Sequence, residues 1–169
     1  MTVIVETGHI VPGANSYVTV DEYVAYAAEI GKNVDDDLAE RDLIMAARFI
    51  DGHEGQLKGT RLTRDQPMAW PRRDVEIDGW WWADTEIPRQ LLLAQLALAL
   101  DVRAGIDLYN RPVREGQVIS KRVEGAVSVA YSNPTAPMKM SKLSSSVALM
   151  NCLLRNSGLR TVSIPLTRM

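Results

Sequence analysis

One cysteine and two histidines among 169 residues leave little room for metal or redox chemistry. Cys152 has no partner for an internal disulfide and builds no cysteine metal cluster, a pattern that fits a reducing compartment. Within an expected last helix, and with neither His9 nor His53 linked to it in sequence, it reads as a small core residue, not a nucleophile. Long apolar runs are also lacking. The longest, Leu91 to Leu100, is interrupted only by Gln95; it is about half of the roughly 20 residues that a spanning helix needs and reads as a buried helix. The opening Met1-Thr2-Val3-Ile4-Val5-Glu6 has neither the basic start nor the continuous apolar stretch of a signal peptide, so export is not expected. Nor is there a phosphate-cradling glycine loop, a dinucleotide fingerprint, zinc spacing or a triad-like set, and Ser144, Ser145 and Ser146 lack the glycine-flanked elbow of a hydrolase. No enzyme, cofactor or metal site is expected. Excess charge of one sign is missing too: 19 basic against 21 acidic residues give −2. The basic pairs Arg72-Arg73 and Lys121-Arg122 are short, whereas a dedicated nucleic-acid binder usually shows a stronger footprint.

What is present, 46% hydrophobic and 24% charged residues, is the composition of one globular domain with a real core. Thr19 and Glu22 have the spacing of a capping box and open a helix that Gly31 stops near Ile30. Tyr17, Val20, Tyr23, Val24 and Ala27 mark its apolar side. Asp35, Asp36 and Asp37 start a second helix running through Leu38, Leu43, Ile44, Ala47 and Ile50 to Gly52. Capping and the helix dipole explain this acidic triplet better than a metal does, because no histidine or further carboxylate cluster completes a site. Pro88 suits the first turn of a third helix, with Thr85 or Asp84 near its cap and Gly105 as its stop. That helix is apolar nearly all round, which places it at the centre of the fold or under another subunit. Leu143, Val147, Met150 and Leu154 form the stripe of a last helix ending near Gly158.

Between the second and third helices lies the stretch 53–86, read as irregular and, at about 30 residues, unusually long for a compact domain. It holds all four tryptophans, Trp70, Trp80, Trp81 and Trp82, with Arg61, Arg64, Arg72 and Arg73. Pro67 and Pro71 hold Gln66 and Trp70 out of helix and give Trp70 a defined direction, either as a plug onto the core or as an anchor on a partner. Three adjacent tryptophans cannot all enter one core, so at least one of Trp80, Trp81 and Trp82 is expected at the surface. Trp and Arg are enriched at protein-binding hot spots; the competing use is stacking on single-stranded nucleic acid with arginines along the phosphates.

Val118 to Tyr131 changes to a period of two and predicts a hairpin over 117–131, with Glu124-Gly125 as turn or bulge. Two strands alone are marginal in water. Val162 and Ile164, in the terminal arm 159–169, have strand character and offer a partner within this subunit or the next. Val3 to Val5 reads as a short edge strand. The expected class is therefore mainly α (α+β): a small bundle of about four helices with a β-hairpin and a C-terminal strand, in a single domain over 1–169.

Four segments carry a resemblance: Gly13-Ala14-Asn15-Ser16-Tyr17, Ala46-Ala47-Arg48-Phe49-Ile50-Asp51, Gly59-Thr60-Arg61 followed by Gln66 to Arg72, and Ile87-Pro88-Arg89. The pattern resembles the phage DnaT-like single-stranded-DNA-binding family, whose relatives in virion structures look like head–tail connector adaptors. The likeness spans about residues 8–131 and departs at Trp80 to Trp82. It implies a structural adaptor of a tailed-phage neck, located in the virion and assembled in the host cytoplasm. Such an adaptor forms a homo-oligomeric, dodecameric ring below the portal protein. It docks a downstream neck or tail protein and lets genomic DNA pass without sequence-specific binding. On that reading Arg61, Gln66, Trp70 and Arg72 hold the long loop against the helices or the adjacent subunit, while Trp80, Trp81, Trp82, Val162 and Ile164 meet partners. The alternative is a replication accessory that binds single-stranded DNA.

Overall fold

The computed structural model describes residues 2–109, 118–124, 126–131 and 143–155. It is a mainly helical α+β chain. Helix α1 covers Val20–Glu29, α2 covers Asp36–Gly52, α3 covers Arg89–Arg103 and α4 covers Leu143–Ala148. Three antiparallel pairs accompany them: β1 (Thr60–Arg61) with β2 (Arg72–Arg73), β3 (Glu76–Ile77) with β4 (Trp80–Trp81), and β5 (Val118–Glu124) with β6 (Ala126–Tyr131).

α1 begins with the capping box read from the sequence. The Thr19 hydroxyl accepts from the Glu22 N–H at 3.1 Å, and the Glu22 carboxylate accepts from the Thr19 N–H at 2.7 Å; a cap of this kind stabilises a helix by about 1 kcal/mol. α2 buries Ala39, Leu43, Ala46, Ala47 and Ile50, a stripe of three- and four-residue steps facing α3. Its start differs from expectation, because the Asp35 side chain makes no capping bond. The Asp35 carbonyl instead accepts from the Arg103 guanidinium at 2.9 Å, which ties this end of α2 to the end of α3.

α3 lies at the centre, packed by α2, α1 and α4. Leu91, Ala94, Leu96, Leu98, Ala99, Leu100 and Val102 are buried, and Leu92 and Leu93 are half-buried. The chain itself therefore covers this all-round apolar helix, which removes one reason for expecting a neighbouring subunit over it. Pro88 is the N-cap residue, and neither Thr85 nor Asp84 caps the helix. Gln95, the one polar break in the apolar run, has no exposed surface yet is fully used. Its amide donates to Ser16 Oγ and the Leu43 carbonyl and accepts from the Tyr17 N–H, so it locks three segments together.

The expected edge strand Val3–Val5 reduces to a single parallel bridge between Val5 and Ser16. Buried Glu6 prevents more, since its carboxylate gathers the N–H groups of Gly8, Ile10 and Val11 and curls the chain. Gly8, at φ +95°, lies so close to the Thr85 carbonyl that a side chain there would overlap it. α4 is shorter than its apolar stripe implied: it stops at Ala148, and a 3-10 turn over Asn151–Leu153 leads to an antiparallel bridge between Leu154 and Leu57. The hairpin strands β5 and β6 pair over Val118–Glu124 and Ala126–Tyr131 as the alternation indicated, with a register shift between Val118 and Ser120, and Gly125 of the expected turn or bulge lies outside the described residues. Val162 and Ile164 lie outside the described residues. Among the described residues no helix is long and apolar enough to cross a membrane.

Candidate nucleic-acid interface

The segment 53–86 is ordered backbone held by side chains, not the irregular loop its sequence suggested. A 3-10 turn over Glu54–Gln56 and four two-residue strands follow one another through it. Gln66 is buried and bonds three backbone groups, accepting from the Thr63 N–H and donating to the carbonyls of Met68 and Pro71. Arg72, 3% exposed, donates to the carbonyls of Lys58, Gly59 and Ala69. Trp70 has no exposed surface and precedes a cis peptide bond to Pro71. Gln66, Trp70 and Arg72 all lie inside the chain. Each is buried within its own chain and offers no surface to a partner, because a long segment with few ladder bonds needs side chains to satisfy its carbonyls. Arg61 is half-buried, with its Nε 2.6 Å from Glu54 Oε1.

The loop is joined to the helices through Tyr17 and Asp51. The Tyr17 hydroxyl donates to Asp51 Oδ1 at 2.6 Å and accepts from the Trp70 N–H at 3.2 Å, while the Ala69 N–H donates to the same carboxylate oxygen at 3.1 Å. Burial, then the charge of Asp51, pushes the tyrosine hydroxyl well above its ordinary range. Burial also raises the Asp51 carboxyl, with the bonds from Tyr17 and Ala69 pulling the other way. A carboxyl whose folded pKa exceeds its unfolded value holds its proton better in the native state, so its contribution to stability falls as pH rises from the unfolded value through the folded one. Asp51→Asn keeps an acceptor for both donors and removes that slope. Thermal melts from pH 3.5 to 7 are expected to show the variant gaining on the wild type as pH rises; a constant or shrinking difference in Tm contradicts this assignment.

From this anchored base a hairpin projects. Val75 and Ile77 are buried and Glu76 is exposed between them. Asp78 and Gly79, at φ +53° and +83°, make the two-residue turn with both central residues left-handed that suits the twist of paired strands. Glu76 then lies opposite Trp81 and Ile77 opposite Trp80, and the Trp82 N–H extends the pairing to the Val75 carbonyl at 2.9 Å. Alternation divides the three indoles. Trp82 and Trp80 share the face of Val75 and Ile77; Trp82 packs half-buried on the core, whereas Trp80, nearer the turn, overhangs it. Trp81 takes the opposite, outer face with Glu76. Trp80 is 76% and Trp81 72% exposed.

Of the basic groups on these segments, Lys58 and Arg155 share a cleft with Trp81. The guanidinium of Arg73 rests on the carbonyls of Arg61 and Leu62, and that of Arg155 on those of Leu57 and Gly59. Among the described residues no carboxylate lies within ion-pair distance of Arg64, Arg73, Lys58 or Arg155. Between the outer hairpin face and Arg155 opens a cleft of about 420 Å³. Its lining includes Lys58, Asp74, Glu76, Asp78, Trp81 and Arg155. Among the described residues no group of three His, Cys, Asp or Glu side chains has the arrangement of a metal site.

Sequence reasoning singled out the tryptophans but missed the hairpin, although Asp78-Gly79 after alternating Val75-Glu76-Ile77 is a recognised turn signal. Lys58 and Arg155 had no such signal, since they come to one cleft from 97 positions apart in the sequence.

The fold is thus an α+β domain that raises two exposed indoles, Trp80 and Trp81, on a turn-closed hairpin. Over residues 1–169 the chain matches the family described as "Putative DnaT-like ssDNA binding protein". The chain belongs to this DnaT-like family. No curated protein and no solved structure matches it. The head–tail connector function expected from the resemblance is thereby corrected: the whole-chain match is to a family described by single-strand binding, the reading held above as the alternative.

Proposed function

We propose that this protein binds single-stranded DNA, with Trp80 and Trp81 as stacking platforms and Arg64 and Arg73 beside the phosphates. The observation that carries the reading is the exposure of two adjacent indoles on a backbone too constrained to tuck them away. Leaving that much apolar surface in water is unfavourable for a monomer unless the surface meets a ligand. Every base has a π-face, so stacking serves without sequence preference, and each stacked base contributes about 1–3 kcal/mol by alanine substitution. The near-neutral chain fits a binder that relies on stacking more than on charge.

Fluorescence anisotropy with labelled oligo-dT tests this. Trp80→Ala and Trp81→Ala are each expected to weaken binding by about 5- to 150-fold. Both side chains are largely in water, so neither change should lower stability appreciably. With Lys58, Arg64, Arg73 and Arg155 as the cations free of a carboxylate partner on these segments, the slope of log affinity against log salt should be no steeper than about −3, at roughly −0.7 per phosphate. A flat titration, or tryptophan variants that bind like the wild type, removes the proposal.

A further inference from the structure

We propose that the cleft beside Trp81 is a base-reading pocket and that the base it favours is guanine. This rests on the single-strand-binding reading and adds a specificity to it. Glu76 is the cross-strand neighbour of Trp81 on the outer face of the hairpin. Such neighbours have Cβ atoms about 4.5–5.5 Å apart, so a base lying flat on the indole brings its edge to the carboxylate. Asp74 and Asp78 line the same cleft. None of the three carboxylates has a hydrogen-bond or ion-pair partner among the described residues; Lys58 Nζ donates to the Glu76 carbonyl at 3.1 Å, not to its side chain.

An ionised carboxylate only accepts hydrogen bonds. Guanine alone offers two adjacent donors on its Watson–Crick edge, N1–H and the N2 amine, which one carboxylate takes in parallel. Adenine and cytosine set their amine beside an unprotonated ring nitrogen, and thymine sets its single N–H between two carbonyls. Each of these turns a lone pair towards the second carboxylate oxygen. Lys58 and Arg155, on the same cleft, supply donors suited to guanine O6 and N7 or to the adjacent phosphate. An anion with no donor edge, such as phosphate alone, meets three negative groups there and is disfavoured.

The test compares the affinities of four octamers for each protein: eight thymidines, and the same strand with its fourth base changed to guanine, inosine or cytosine. The guanine strand is expected to bind about 5- to 20-fold tighter than all-thymidine, the lower part of the range for a bidentate base contact because the cleft is open. Inosine, which lacks the N2 amine, should lose most of that advantage, and cytosine should have none. Glu76→Gln should bring the guanine-to-thymine ratio to about one. If all-thymidine binds and guanine gains nothing, the pocket is refuted while single-strand binding stands. If no strand binds, both fail. A guanine preference that survives Glu76→Gln, Asp74→Asn and Asp78→Asn overturns the carboxylate assignment.

Discussion

Trp70→Ala is expected to lower the unfolding free energy by about 3–5 kcal/mol, the range for removing a fully buried tryptophan. That is a large fraction of a typical total of about 5–15 kcal/mol. The side chain has no exposed surface and belongs to the core cluster with Met68, Ala69 and Leu57. Around it the backbone leaves little freedom to collapse into the vacated space: its N–H is held by Tyr17, Ala69 by Asp51 and Arg72, and the flanking carbonyls by Gln66. A hole that cannot close costs more than one that can. The indole Nε1 is itself buried without a hydrogen-bond partner, so Trp70→Phe removes an unsatisfied donor along with some volume and should cost far less than alanine. Urea unfolding followed by circular dichroism measures both. A loss below about 1 kcal/mol for Trp70→Ala would falsify the role of this residue as the plug between loop and helices.

The same segment shows where sequence reasoning reaches its limit. Helices α1 to α3 were legible because their signals are local: Thr19 and Glu22 sit three residues apart, and the α2 stripe repeats over four turns. Fold class followed from them. Outside the Asp78-Gly79 turn the loop was not legible, because a strand of two residues contains no period to detect, and because Gln66 and Arg72 look like surface residues until the carbonyls they satisfy are known. Gln66 is held by carbonyls and an N–H that only a folded-back chain brings round it, Arg72 by the Lys58 carbonyl 14 positions away, and Arg155 reaches Gly59 across 96 positions. At the candidate site, the conflict among three consecutive tryptophans was readable from the pleat alone. Which of them stays dry was not, since the answer depends on how far the hairpin extends past the core. The contact made at Asp35 was equally out of reach of a local reading: its carbonyl accepts from Arg103, on a helix more than 60 residues later.

Asp42→Ala should produce the second large loss, about 2–4 kcal/mol. Asp42 has no exposed surface on α2. Its Oδ2 lies 2.7 Å from Arg103 Nε on α3, close in charge although the N–H does not point along the contact, and its Oδ1 accepts from Arg41 at 3.1 Å. Tyr23 packs nearby, its hydroxyl pushed up to about 12 by burial first and then by the charge of Asp42. Removing the carboxylate leaves the Arg103 guanidinium against a packed interface without its counter-charge, which for a buried pair costs about 3–5 kcal/mol. The arginine side chains remain 20% and 54% exposed, so water screens part of that loss and the lower range applies. The double variant Asp42→Leu with Arg103→Met separates the worth of the pair from the cost of breaking it. With both charges gone and apolar volume restored, stability should return to within about 1 kcal/mol of the wild type. Urea unfolding of the single and double variants decides between two pictures. A small loss for Asp42→Ala would make this a surface pair of little consequence. A large loss that the double variant does not recover would mean that the bond from Arg103 to the Asp35 carbonyl, and not the ion pair, holds α2 to α3.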